Sequence, residues 1–322
     1  MPDSLKPNPI GGYFGLELDM TCEYHDTAVA FNSGANALRA SLLANDYTKA
    51  HIPSYTCKAV IDAVTDIGLD CSFYEINVDF EPATFPEVGP SEVFLYTNYW
   101  GLKEKYASEI AEMYDNTIID NSQAFYSIYQ DNTVSFCSCR KFFGVPDGGY
   151  LYDQDVDATG YPRDVSYECA DHLLQRIDCG PEDGYASYQA NEQLVAQKSV
   201  ARMSRLTQSI MRSIRYDKIA KRRRSNFAYL HEHLHHKNKI TIELREGVPL
   251  AYPFAVDIGE KIRTELINQR VYIPQYWPGV LTRSNSSNMA YWLTKNVIPL
   301  PIDQRYNTQD MDRVLSIVNN YT

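Results

Sequence analysis

The chain has 322 residues, beyond the roughly 250–300 at which one hydrophobic core stops growing, which predicts two lobes. Its 44% hydrophobic and 22% charged residues are ordinary for a globular protein, and a net charge of −11 argues against a nucleic-acid partner, whose binding rests on Lys and Arg meeting phosphates. No apolar run approaches the roughly 20 residues of a membrane span, and Met1-Pro-Asp-Ser-Leu-Lys-Pro-Asn-Pro9 lacks the apolar stretch of a signal peptide, so the expected location is cytoplasmic, with no membrane partner.

In chain order, Thr27-Ala-Val-Ala-Phe31 reads as a strand entering Ser33-Gly34, after which Ala37, Leu38, Ser41 and Leu42 recur at helical spacing. His51-Ile-Pro53 is followed by a helix over Lys58 to Ile67 and a strand over Cys71 to Ile76. Glu92 to Tyr96 reads as a buried strand, Lys103 to Tyr114 as a helix and Thr117 to Asp120 as a strand. This alternation predicts βαβ units and a mainly parallel sheet, whose ligands gather at the carboxyl ends of its strands. Residues 154–200, rich in Asp, Tyr and Gln, have no clear period. Leu206 to Leu234 reads as one long helix opening a smaller α+β lobe, with a strand over Tyr252 to Asp257 and helices over Lys261 to Arg270 and Thr308 to Val318. Domain boundaries of 1–205 and 206–322 follow. Lys221-Arg-Arg-Arg224 reads as a solvated helix face at least as well as a ligand patch.

Seven scattered cysteines predict reduced thiols rather than a disulfide framework, and Cys137-x-Cys139 has no second pair at zinc-ribbon spacing. The informative stretch is Val134 to Tyr152, which sets Lys141 between a strand-like run and the glycine turn Gly148-Gly149, downstream of Asp120. A pyridoxal-phosphate (PLP) enzyme needs such a pair, a lysine for the cofactor aldehyde and a carboxylate to keep the pyridine nitrogen protonated. The competing readings are a surface lysine beside an ordinary turn and a strand-end cap at Asp120. Ser33 is a candidate N-cap that would leave the amides of Gly34, Ala35 and Asn36 facing an anion.

Ile10-Gly-Gly-Tyr-Phe14, Asn32-Ser-Gly-Ala-Asn-Ala-Leu38, Ile52-Pro-Ser-Tyr-Thr56, Ile119-Asp-Asn-Ser-Gln-Ala124, Ser138-Cys-Arg-Lys141 and Asp147-Gly-Gly149 occur in an order that resembles the DegT/StrS-type sugar aminotransferases. Arg202-Met-Ser204 and Pro299-Leu-Pro301 extend the likeness along the chain. The resemblance implies a fold-type-I PLP transferase: a large domain with a mainly parallel seven-stranded sheet, a smaller C-terminal α+β domain, and a homodimer. It implies an amino group moved from glutamate or glutamine to a keto sugar, usually nucleotide-linked, in cell-surface polysaccharide or secondary-metabolite synthesis. Lys141 and Asp120 match the catalytic pair and Gln123 a glutamine near the ring; Ser138 matches a hydroxyl on the phosphate, and Arg202 belongs to the segment that reaches the partner subunit. Retention of Lys141 argues against the family's dehydratase branch, which has histidine there.

Four departures accompany these matches. Ala35 stands where a small hydroxylated residue is usual, so a side-chain phosphate contact is missing or has moved to Asn36. Cys57 stands where an aromatic residue stacks on the cofactor, with Tyr55 as a candidate substitute. Val200 replaces an asparagine, and the segment around Lys141 is a residue short. Cys57 and Val200 favour the alternative of a PLP-fold binding or regulatory protein, and the departures together bear on the sugar-nucleotide substrate more than on PLP. A remoter alternative is a zinc peptidase, since His231-Glu232-x-x-His235 satisfies the His-Glu-x-x-His pattern, though it sits in a histidine-dense helix end.

Overall fold

The computed structural model describes residues 10–129, 133–243 and 247–322, and the Met1–Pro9 segment considered above lies outside them. Strands β1 (Val29–Phe31), β2 (Lys49–Pro53), β3 (Asp70–Tyr74), β4 (Glu92–Thr97), β5 (Thr117–Asp120), β6 (Val134–Ser138) and β7 (Gly149–Tyr152) form one sheet in the order β1-β7-β6-β5-β4-β2-β3. Strands β2 to β6 pair in parallel and β7 runs antiparallel to both neighbours. The sheet is the mainly parallel, seven-stranded one expected.

Burial on both faces explains the strand sequences. In β4, Val93 and Leu95 face helices α1 (Gly34–Ala44) and α2 (Lys58–Thr65), packing with Leu38, Leu42, Val60 and Val64. Phe94 and Tyr96, offset by one residue, face α3 (Glu104–Met113) and an aromatic cluster with Tyr55, Tyr99 and Trp100. Beyond β7 the chain forms α4 (Asp171–Asp178) and α5 (Tyr185–Gln197) in the stretch that lacked a period. Their buried residues are only His172, Asn191 and Val195, so no apolar stripe was there to be read.

The expected long helix is two, α6 (Arg205–Arg212) and α7 (Tyr216–Leu234). Hydroxyls end the first: Ser213 Oγ donates to the Ile210 carbonyl at 2.7 Å and Tyr216 Oη to that of Met211 at 2.7 Å, taking acceptors a continuing helix would use. The remaining elements are β8 (Tyr252–Ala255), α8 (Gly259–Asn268), the single turn α9 (Val280–Arg283), α10 (Met289–Asn296), β9 (Val297–Leu300) and α11 (Thr308–Asn319). β8 and β9 pair antiparallel, and α7, α8 and α11 cover them around Leu230, Phe254, Ile262, Ile298 and Val314. Among the described residues no helix is long and apolar enough to cross a membrane.

One close approach fixes where the strand ends meet. A Cβ on Gly149, the first residue of β7, would lie 2.6 Å from the Gly34 amide and 2.6 Å from the Ser33 carbonyl carbon. Only glycine lets the start of β7 touch the N-terminus of α1. Gly149→Ala should therefore cost about 1–3 kcal/mol or more through forced backbone displacement. A lowered midpoint of urea unfolding would register it; an unchanged midpoint would show that the α1 terminus yields freely.

Candidate active site

The parallel strands deliver their last residues to one edge. Asp120 ends β5, with Thr97 of β4 beside it in register and Phe136 of β6 on the other side. It is 3% exposed, and its Oδ1 accepts the Ser122 amide at 2.7 Å in an Asx turn. Burial raises its carboxyl above the ordinary range, while the Lys141 charge and hydrogen bonds from Ser122 pull it back down. Lys141 closes the single turn Cys139–Lys141 after β6, and its Nζ lies 5.8 Å from the ring centroid of Tyr276. The turn hangs from Cys139, whose amide donates to the Gly148 carbonyl at 3.1 Å. Asp147 anchors its return limb by accepting the Ser204 amide at 3.0 Å and the Ser204 hydroxyl at 2.8 Å.

The N-terminus of α1 opens on the same edge. Ser33 caps it, its Oγ accepting the Asn36 amide at 3.1 Å. Helix geometry then leaves the amides of Gly34 and Ala35 without intrahelical acceptors. The position a Cβ would take on Gly34 is 3.4 Å from Ser138 Cβ and 3.5 Å from Ser122 Oγ, so two hydroxyl residues flank those amides. The Asn36 side chain is engaged elsewhere, donating to Asn32 Oδ1 at 2.8 Å and to the carbonyls of Lys198 and Ser199. Gln123 is fully buried; its Oε1 accepts the Trp100 amide at 2.8 Å and its Nε2 meets no acceptor in the structure.

Asp120, Gln123, Lys141, Ser138 and the Gly34-Ala35 amides are thus brought to one edge of the sheet; Tyr55 and Arg202 are placed otherwise. Tyr55 is wholly buried against Phe80, Tyr99 and Trp277, its hydroxyl 3.4 Å from the Tyr276 carbonyl. Arg202 bridges to Phe31 on the outer edge of β1. Its row runs on through Phe31, Gly149 and Ser138, three strand spacings or roughly 14 Å away. Cys57 is half-buried at the start of α2, with its thiol raised by burial, lowered by the Lys141 charge and raised by Asp120.

Three residues of the site were not among the sequence candidates. Ser122 joins the Asp120 carboxylate to the α1 terminus, and the Asp-x-Ser spacing at a strand end was its signal. Tyr276 and Arg283 come from roughly 150–160 residues further on. Arg283 donates to the Ser54 carbonyl at 3.1 Å and to that of Thr56, and no local pattern marks either residue. His231 and His235 lie with ring centroids 5.3 Å apart at the end of α7. Among the described residues no three His, Cys, Asp or Glu side chains are grouped to hold a metal.

The orphaned Gln123 amide, the first α1 amides, which lack intrahelical acceptors and have a hydroxyl flank, and a lysine facing a buried carboxylate fit the donor set that PLP requires. Without a cation on the ring, the buried Asp120 charge is a burden. Because its folded-state value is raised, its contribution favours folding below the ordinary carboxylate value and is lost as pH rises through the raised one. In cofactor-free protein, Asp120→Asn should melt no lower than the parent at neutral pH and lose that advantage as pH falls toward about 4. A calorimetric series across pH checks this; a variant several degrees less stable at neutral pH would contradict it.

No family model matches the chain, and no curated protein matches it. Solved structures do. DesV of S. venezuelae, in complex with a ketimine intermediate, is 18% identical with a TM-score of 0.63, over 91% of this chain and 84% of that one. NtdA from Bacillus subtilis, with bound cofactor PMP, is 18% identical with a TM-score of 0.64, over 91% and 72%. The sugar aminotransferase CalS13 from Micromonospora echinospora is 12% identical with a TM-score of 0.60, over 92% and 88%. At such identities the likeness is one of architecture: the chain has the mixed α/β, fold-type-I arrangement of these proteins.

Proposed function

We propose that the chain is a PLP-dependent aminotransferase that moves an amino group from an amino-acid donor, glutamate or glutamine, to a keto sugar carried on a nucleotide. The observation that carries this reading is Lys141 and the buried Asp120 at neighbouring strand ends beside the N-terminus of α1. Its fold is also that of proteins holding PMP or a ketimine intermediate. When bound, the cofactor supplies an aldehyde that amines attack and an electron-withdrawing ring.

The chain's residues divide the remaining work. With the cofactor bound, Lys141 would hold it and, as a free amine, would take and return the proton at the substrate carbon. Asp120 would keep the ring nitrogen protonated through a charged hydrogen bond worth about 1.5–3 kcal/mol. The Gly34 and Ala35 amides, with Ser122 and Ser138, would receive the phosphate, where a helix N-terminus favours an anion. Gln123 offers its unpartnered amide on the turn after Asp120.

A homodimer is part of the proposal. Tyr13 and Phe14 are 98% and 92% exposed on the arm before β1, and Ile177 of α4 is 81% exposed, apolar surface that a second copy would cover. In this proposal Arg202, which bridges to Phe31 at the outer edge of β1, serves the neighbouring subunit's site; its distance along the sheet from its own Lys141 turn supports that reading.

Two experiments test the reading. Protein mixed with PLP should gain a visible absorption band that glutamate or glutamine abolishes, and Asp120→Asn should slow that half-reaction roughly 10–150-fold, the equivalent of the lost charged hydrogen bond. A band unmoved by any amino acid would support the binding-protein alternative instead. Mixing inactive Lys141→Ala and Arg202→Ala subunits should restore part of the activity, because one hybrid site regains both residues. A monomer in solution, or no recovery despite demonstrated subunit exchange, would remove Arg202 from the site.

A further inference from the structure

Lys221-Arg-Arg-Arg224 is a solvated face at three of its four positions; Arg223 is 2% exposed. Its neighbours on the buried stripe of α7 are Ala220, Phe227 and Leu230, positions where apolar side chains pack at no electrostatic cost. A buried guanidinium is expensive unless its donors are satisfied. Here Nη1 donates to the Pro249 carbonyl at 3.3 Å and the Leu250 carbonyl at 3.0 Å, and Nε donates to Gln304 Oε1 at 3.1 Å. Burial pulls the guanidinium down to about 10, which leaves it charged at neutral pH.

The other contacts lead to the residue beside Lys141. The Arg223 guanidinium carbon lies 4.5 Å from the ring centroid of Phe142, and Gln304 Nε2 donates to the Phe142 carbonyl at 2.9 Å. Phe142 is therefore gripped at both its ring and its backbone by one hydrogen-bonded pair from the C-terminal layer. The turn Cys139–Lys141 is a single 3₁₀ turn closed by the Phe142 amide on the Cys139 carbonyl at 3.1 Å, too short to hold its own direction. A trans peptide fixes successive Cα atoms about 3.8 Å apart, so displacing Phe142 displaces Lys141.

We infer that Arg223 and Gln304 are positioning residues that act through Phe142 to hold Lys141 toward Asp120. This rests on the role of Lys141 proposed above, and the test separates the two. In cofactor-free protein, Lys141 is labelled with acetic anhydride and quantified by peptide mass against exposed Lys218, comparing the parent with Gln304→Leu and Arg223→Lys. Gln304→Leu removes both the bond to the Phe142 carbonyl and the one from Arg223, and should raise Lys141 labelling at least roughly two- to tenfold and slow the appearance of the visible band with PLP to a similar degree. Arg223→Lys keeps the charge and loses the planar fork; should it fail to fold, half-buried Gln304→Leu decides alone. Labelling and band formation equal to the parent in folded Gln304→Leu overturn the inference. Altered labelling with no PLP band in the parent would uphold the positioning and overturn the PLP reading.

Discussion

Asp120 imposes the constraint on which the rest of the arrangement depends. A carboxylate sealed at a strand end is costly unless positive charge and hydrogen bonds answer it. Ser122 answers with its amide, and Lys141 answers with its charge from the next strand. The parallel β5–β6 ladder sets Asp120 opposite Phe136, shortly before β6 gives way to the Lys141 turn, so the electrostatics of the site are a consequence of sheet topology. The close contact of Gly149 with the α1 terminus then places the first amides of α1 within the same few residues.

The C-terminal layer belongs to the site. Tyr276 lies over Lys141, and the Tyr55 hydroxyl reaches its carbonyl. Arg283 ties α9 to the loop after β2 through two carbonyls. Phe142 is held by Arg223 and Gln304. A lysine on a short turn gains a fixed direction from these contacts, and catalysis by proton movement needs such direction more than it needs strength of binding.

Much of this could be read from the sequence. Strand and helix periods located β4, β5 and α3 to within a residue or two because both strand faces are buried and the helix has one clear apolar side. The strand end at Asp120 and the glycine turn beside Lys141 left local marks, whereas Gln123 was proposed only through the family resemblance. Other features left none. The break after Arg212 depends on where two hydroxyls happen to point, and α4 and α5 bury too little to show a period. Tyr276 joins the site only through tertiary packing. Arg223 is the instructive case: its 3-4-3 spacing with Ala220, Phe227 and Leu230 marks a buried stripe, but three basic neighbours masked it.

The central claim is that Lys141 is the residue that carries the cofactor. Borohydride reduction of the PLP-loaded protein followed by peptide mass mapping tests it most directly, because reduction fixes the cofactor to whichever amine holds it. The account predicts a pyridoxyl group on Lys141; its presence on another lysine, or on none, would contradict the account.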